Sequence, residues 1–340
     1  MEFKLHTTFE TLAPLAAEWN NLLRDSPSDS PFLRFEYLRE WWHTLGGGEW
    51  TQAELAVVSA HDDDKLIGVA PLFQTTNREG ESALMLLGAI EISDFLDLIV
   101  RPSDLTPFVS GLCDLLASSP ALSGLSLDWY NVPEASPTLA ALEAESARRG
   151  WSFAREVYQP APSIPLPADF ESYLASIDKK QRHEIRRKMR RAAENDLPVR
   201  WYLVTDESAL ESEMDSFFAL MGQDPKKEIF LTPTMRAQMQ STARVALQNG
   251  WLWLAFLEVD GVKAAGALNF DYGNRLWGYN SGVNRAFNEL SPGWVLLAHT
   301  LQWAIEHGRV EFDFMRGGED YKYRFGARDR LVMRVVVRRG

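Results

Sequence analysis

The run Phe312-Asp313-Phe314-Met315-Arg316-Gly317-Gly318-Glu319-Asp320-Tyr321-Lys322-Tyr323-Arg324-Phe325-Gly326-Ala327 begins as a strand and ends as a helix. Val310 to Met315 alternates, so Phe312 and Phe314 share one face and Asp313 takes the other. Glu319 to Phe325 predicts a short helix, and Arg330 to Val337 predicts a last strand. Upstream, Ser291 to His307 predicts a helix closed by Gly308. Trp294, Leu297, Ala298, Leu301 and Ile305 fall on one face of it. Ser291 fits the N-cap, Pro292 fits the first turn, and Gly293 lets a ligand approach the backbone. Such a start suits a phosphate or pyrophosphate, although an ordinary capped helix reads the same way. Before it stand a hairpin, Trp251 to Val259 and Val262 to Phe270 around Asp260-Gly261, and a strand, Arg275 to Val283.

Working back toward the N-terminus, helices are expected near Glu207–Met221 and Thr234–Gln248, with a strand at Val199–Val204. A short helix at Phe170–Ile177 precedes a strongly basic one at Lys179–Glu194. Gln159 to Pro167 holds four prolines, which neither a helix nor a central strand tolerates, so the chain is expected to divide there into halves 1–160 and 161–340. The first half reads as helices at Leu12–Arg24, Arg34–Leu45, Pro107–Ala117 and Pro137–Arg149. Its strands fall at Leu55–Ser59, Leu66–Phe73, Met85–Leu87, Phe95–Val100 and Gly124–Trp129. Lys65-Leu66-Ile67-Gly68 and Lys263-Ala264-Ala265-Gly266 each follow an acidic turn, a weak echo that fits a duplicated α/β unit.

With 340 residues and 46% hydrophobic composition, the chain can bury a sizeable core. A formal net charge of −12 argues against general nucleic-acid or anionic-membrane binding. A lone cysteine, Cys113, excludes an intrachain disulfide framework. Without a signal peptide pattern or an apolar run of membrane-spanning length, a cytoplasmic location is expected. The six histidines show no metal-ligand spacing, so no metal is expected, and neither a P-loop nor a serine nucleophile elbow occurs.

Asn280-Ser281-Gly282, Glu289-Leu290-Ser291-Pro292-Gly293 and the run from Phe312 to Ala327 together resemble the tandem GNAT-type acetyltransferases associated with cellulose and exopolysaccharide synthesis, relatives of the Fem-type aminoacyltransferases. Phe32–Trp42 and Ser93-Asp94-Phe95-Leu96-Asp97 resemble that family's N-terminal unit. The resemblance spans nearly the whole chain, specific toward the C-terminus and loose before Lys179. Where many GNAT loops carry Gln/Arg-x-x-Gly-x-Gly/Ala, this chain has Arg285, Asn288 and Ser-Pro-Gly, a form the same branch shares. The resemblance implies two tandem GNAT-like α/β domains with mixed sheets flanked by helices, the first degenerate and on the acceptor side. It implies acetyl-CoA or another acyl-CoA as co-substrate, and a small-molecule amine acceptor, on a sugar or cell-envelope precursor, between the halves. Asn280, Ser281, Ser291, Gly293 and Arg316 would then meet the donor, with strand amides near Asn280 and Ser281 polarising the carbonyl. Asp313 and Glu319 are the candidate bases, Tyr321 and Tyr323 candidate acids, and Lys322, Arg324 and Arg186 candidates for holding acceptor phosphates or carboxylates.

Each has a plainer reading. Asp313 can cap the turn after its strand, and the tyrosines and Lys322 can simply pack the short helix. Along the basic helix, Ile185, Met189 and Ala192 form an apolar stripe, leaving Arg186, Arg187, Arg190 and Arg191 outward as an anion site or a solvated face. Two rivals follow: a Fem-type transferase using aminoacyl-tRNA, and a non-catalytic scaffold of a polysaccharide assembly.

Overall fold

The structure, a computed structural model, describes residues 1–339. In chain order its elements are β1 (Glu2–His6), α1 (Ala16–Arg24), α2 (Phe35–Gly48), β2 (Glu54–Leu55), β3 (Val57–Asp62), β4 (Lys65–Ala70), β5 (Leu72–Thr76), β6 (Ser82–Leu86), β7 (Ile99–Val100), α3 (Leu105–Ser118), β8 (Ser126–Pro133), α4 (Pro137–Arg149) and β9 (Ser152–Pro160). There follow β10 (Ser163–Pro165), α5 (Phe170–Ser176), α6 (Lys179–Ala193), β11 (Val199–Leu203), α7 (Leu210–Met221), α8 (Pro225–Phe230), α9 (Pro233–Gln248), β12 (Leu252–Val259), β13 (Val262–Tyr272), β14 (Arg275–Val283), α10 (Pro292–Glu306), β15 (Glu311–Asp313), α11 (Asp320–Arg324) and β16 (Leu331–Arg338). Backbone contacts divide the chain into two compact units, Met1–Pro160 with the terminal stretch from Arg330, and Ala161–Asp329. The architecture is the expected mixed α/β one.

The first unit holds a four-stranded sheet, β1-β3-β4-β7, and a six-stranded sheet, β2-β5-β6-β8-β16-β9. Pro71 divides the expected strand Leu66–Phe73 into β4 and β5, which join different sheets. Lacking an N–H, proline interrupts a ladder and marks the crossing. Phe95–Leu98, expected as strand, is loop held by side chains. The Ser30 hydroxyl donates to Phe95 O (3.2 Å), and the hydroxyls of Ser28 and Ser136 both donate to the buried Asp97 carboxylate. β16, expected to close the second half, instead lies between β8 and β9 and pairs antiparallel with both. Val332, Val335 and Val337 are buried there.

The second unit is one mixed sheet, β10-β15-β14-β13-β12-β11, with β14 and β15 parallel and the remaining neighbours antiparallel. At the β12–β13 turn Asp260 and Gly261 both adopt positive φ, 50° and 75°, as a twisted two-residue hairpin demands. Both halves of the proline-rich stretch end up in strands after all. β9 and β10 are sheet-edge strands, where a missing N–H costs least. The apolar face of α10 is supplied by Val295, Leu296, Ala298, Leu301, Ala304 and Ile305, all in the core, with Trp294 and Leu297 only packed against it. The stripe on α6 docks as its spacing requires, with Ile185 and Ala192 buried and Met189 at the margin. The short helix α8 was not expected, yet Asp224-Pro225 carries its start. Asp224 accepts the backbone N–H groups of Lys226 (2.9 Å) and Lys227 (3.4 Å).

Candidate functional site

β14 carries the geometry that matters. It pairs with β15 only over Arg275–Trp277 against Glu311–Asp313, then runs on to Val283 with β13 alone beside it. Gly278 stands where the two strands part: a Cβ there would lie 3.0 Å from the Phe312 ring and 3.2 Å from the Asp313 carbonyl. Beyond it, the far end of β14 meets the start of α10, since a Cβ on Gly293 would lie 3.1 Å from Val283 Cγ2. The strand edge and helix start, read separately in the sequence, are therefore adjacent.

The other face of β14 is covered by α7 at backbone contact. A Cβ on Gly282 would sit 2.5 Å from Met221 N and 2.6 Å from Leu220 C, and backbone cannot rotate away. Gly282→Val is expected to lower stability by about 1–3 kcal/mol through overpacking. An unchanged urea midpoint would show that α7 yields freely.

Ser291 occupies the N-cap of α10, but not as a conventional cap. It is left-handed, φ 52° and ψ 52°, and its side chain bonds no helix N–H. Its carbonyl instead accepts the N–H groups of Trp294 (2.9 Å) and Val295 (3.1 Å). The Ser291 side chain therefore does not compete with a ligand at this helix start. Around it Lys188 Nζ lies 4.0 Å from the Trp294 ring centre, Trp294 packs on Phe325 at 4.7 Å, and Arg191 reaches Glu289 at 3.7 Å. The basic helix thus flanks the start of α10.

Asp313 is fully buried, and its Oδ1 accepts the Met315 N–H at 2.8 Å. That bond holds Met315 at φ 63°, so Asp313 shapes the turn after β15. Lys322 is also buried rather than presented to solvent. Its ammonium donates to the carbonyls of Met315 (3.2 Å), Arg316 (2.8 Å) and Gly317 (2.9 Å) and pairs with Glu319 at 2.9 Å. It is the strut of the loop carrying Arg316 and Glu319. The Tyr323 hydroxyl donates to Asp329 Oδ1 at 2.7 Å, and that bond pushes its pKa up to about 12, so it stays protonated near neutrality. Arg324 pairs with Asp320 at 2.5 Å along its own helix, and Arg186 pairs with Glu171 on α5. The structure gathers Asn280, Ser281, Ser291, Gly293 and the Met315–Glu319 loop around the end of β14. Arg186 and Arg324 are engaged by local carboxylates instead.

One residue of this site was missed. Lys227, from α8, places its Nζ 3.0 Å from Asn280 Oδ1 and 2.5 Å from the Ser281 carbonyl. The same Asn280 oxygen accepts the Ser281 N–H at 2.9 Å. Burial pulls the Lys227 pKa below the ordinary lysine value, with Asp224 and Glu319 acting in the opposite sense. Among the described residues, no group of three or more His, Cys, Asp or Glu is placed to hold a metal ion, and no helix is long and apolar enough to cross a membrane.

No curated protein matches this sequence. Among solved structures, FemX superposes with a TM-score of 0.68 at 12% identity, over 98% of this chain and 97% of its own. The C-terminal domain of a putative lysylphosphatidylglycerol synthetase from Agrobacterium fabrum gives 0.56 at 12% identity, over 96% and 92%. A tandem GNAT protein from the clavulanic acid biosynthesis pathway gives 0.51 at 12% identity, over 99% and 98%. At such identities the likeness is one of fold. Residues 179–323, which span α8, β14 and α10, are similar to the family described as acetyltransferase (GNAT) domain.

Proposed function

We propose that the protein transfers an acetyl or longer acyl group from an acyl-CoA to an amine, with the donor bound in the second unit. The observation that carries this reading is the parting of β14 from β15. An exposed strand edge accepts an extended chain bearing amides by adding it as a further strand. The pantetheine arm of CoA is such a chain, and the uncapped start of α10 next to Val283 suits the pyrophosphate that follows it. The match of residues 179–323 to the GNAT domain supports the same assignment. The acceptor is an amine on a sugar or cell-envelope precursor, by resemblance of the motif from Phe312 to Ala327.

A second reading, in which aminoacyl-tRNA is the donor, is favoured by α6. Its exposed Arg187, Arg190 and Arg191 line a shallow concavity with Glu194, Asn195 and Asp196. Calorimetric titration with acetyl-CoA, free CoA and aminoacyl-tRNA separates the two. The expected result is saturable binding of both CoA species, weakened at least tenfold, about 1.4 kcal/mol, by Gly293→Trp. Binding of the tRNA without either CoA species would replace the first reading with the second.

A further inference from the structure

Transfer from a thioester needs a hydrogen-bond donor at the carbonyl oxygen, where negative charge develops as the amine adds. On the strand edge the obvious candidate is a backbone N–H near Ser281. That amide is already taken: it donates to Asn280 Oδ1, the side chain of the residue before it. The Ser281 carbonyl is likewise taken by Lys227. At Ser281 the edge of β14 thus presents to a ligand a side-chain cover made by Asn280 and Lys227 in place of bare backbone.

That cover has one unspent donor. An ammonium carries three N–H bonds. Among the described residues Lys227 commits one to Asn280 and one to the Ser281 carbonyl. Both acceptors are neutral, so neither cancels the charge. Two carboxylates act on it without a hydrogen bond: Asp224, at the start of its own helix, and Glu319, from the loop before α11. Glu319 is itself occupied by Lys322. A cation held at short range in a partly dry setting acts on developing charge far more strongly than one in water.

Resting on the acyl-CoA reading above, we propose that the Lys227 ammonium, rather than the Ser281 amide, is the donor that meets the thioester carbonyl oxygen. The acceptor nitrogen bonds to the carbonyl carbon, and the C=O electron pair moves onto oxygen against Lys227 Nζ. The C–S bond then breaks as the carbonyl re-forms. Sulfur leaves with the bonding pair, and the proton shed by nitrogen balances it as thiol. Lys227 remains an ammonium throughout, and Asn280 aims it.

The test uses the whole chain, acetyl-CoA as donor and hydroxylamine as surrogate acceptor, with thiol release as readout. Calorimetry measures acetyl-CoA binding, and thermal melting measures folding. Lys227→Met is expected to lower kcat by about 10²–10³-fold while acetyl-CoA binding changes little. In the wild type kcat falls on the alkaline side as the ammonium loses its proton, at a pH below that of an ordinary lysine. In Lys227→Arg, whose guanidinium does not titrate, that limb is expected to move up by at least a pH unit. Should Lys227→Met not fold, the limb in Lys227→Arg decides. Binding of acetyl-CoA with unchanged kcat in Lys227→Met, or an unmoved limb in Lys227→Arg, overturns this role alone. Failure of the wild type to bind acetyl-CoA overturns both the role and the function it rests on.

Discussion

A chain ending at Asp329 is expected to lose the ordered fold of its first unit while the second survives. The removed strand β16 sits between β8 and β9, so its loss breaks both ladders at once and leaves β9 without a partner in that sheet. It also uncovers the space filled by Val332, Val335 and Val337. Each buried valine contributes about 1.5–3 kcal/mol. The three together rival the whole stability of a domain, about 5–15 kcal/mol, before any lost hydrogen bond is counted. Arg339 adds to the loss, since its guanidinium donates to the carbonyls of Leu116, Leu122 and Leu125. Amide hydrogen exchange read by mass spectrometry checks this directly. Peptides from β8 and β9 should exchange within the dead time, while those from β12 to β14 keep their protection. Retained protection over β8 and β9 would contradict it.

Arg334→Met is expected to cost about 3–5 kcal/mol, the usual penalty for stranding a buried charge. Asp128 is completely buried and bound by both arms of Arg334, at 2.9 and 3.0 Å, with Asn77 adding a further bond at 2.9 Å. Arg334 also reaches Glu79 at 2.5 Å and lies 4.9 Å from the centre of the Tyr130 ring. The carboxylate has no water to fall back on once the guanidinium is gone. Adding Asp128→Asn should recover much of the loss, because the burial penalty disappears with the charge. Urea unfolding of the wild type, both single variants and the double variant closes the cycle. A loss under about 1 kcal/mol in Arg334→Met would mean that Asp128 is solvated on opening.

Local pattern revealed most of the elements and little of their partnership. The hairpin at Asp260-Gly261 and the stripe on α6 were readable because a turn and a helix face are fixed by neighbours in sequence. The placement of β16 was not, because alternation says which side chains face inward and not which strands lie alongside. The same limit applied at the site. The segments gathered around the end of β14, from Asn280 to Gly293 and from Phe312 onward, stood out in the sequence as candidates. The parts played by single residues were less legible, since in a motif Asp313 reads as a base and Lys322 as an anion-holding group, and they are seen to hold a turn and a loop only when their partners are placed. Lys227 was overlooked for a related reason. Its helix is too short to show a period, and its partners Asn280 and Ser281 are more than fifty residues away. The signal at Asp224-Pro225 would have found the helix, but not the contact.

The position of β16 also has a consequence for the order in which the protein is made. A ribosome delivers Met1–Pro160 before Ala161–Asp329, yet the strand that completes the sheet of the earlier region is delivered only after both. The contiguous stretch Ala161–Asp329 has every strand of its own sheet once Asp329 has emerged. Folding during synthesis therefore runs against the usual N-terminal-first sequence. Until β16 emerges, β8 and β9 wait with unpaired edges, the kind of surface that chaperones cover and stray strands capture. Stalled or prematurely ended translation would release a molecule whose later-made part is finished and whose earlier-made part is not.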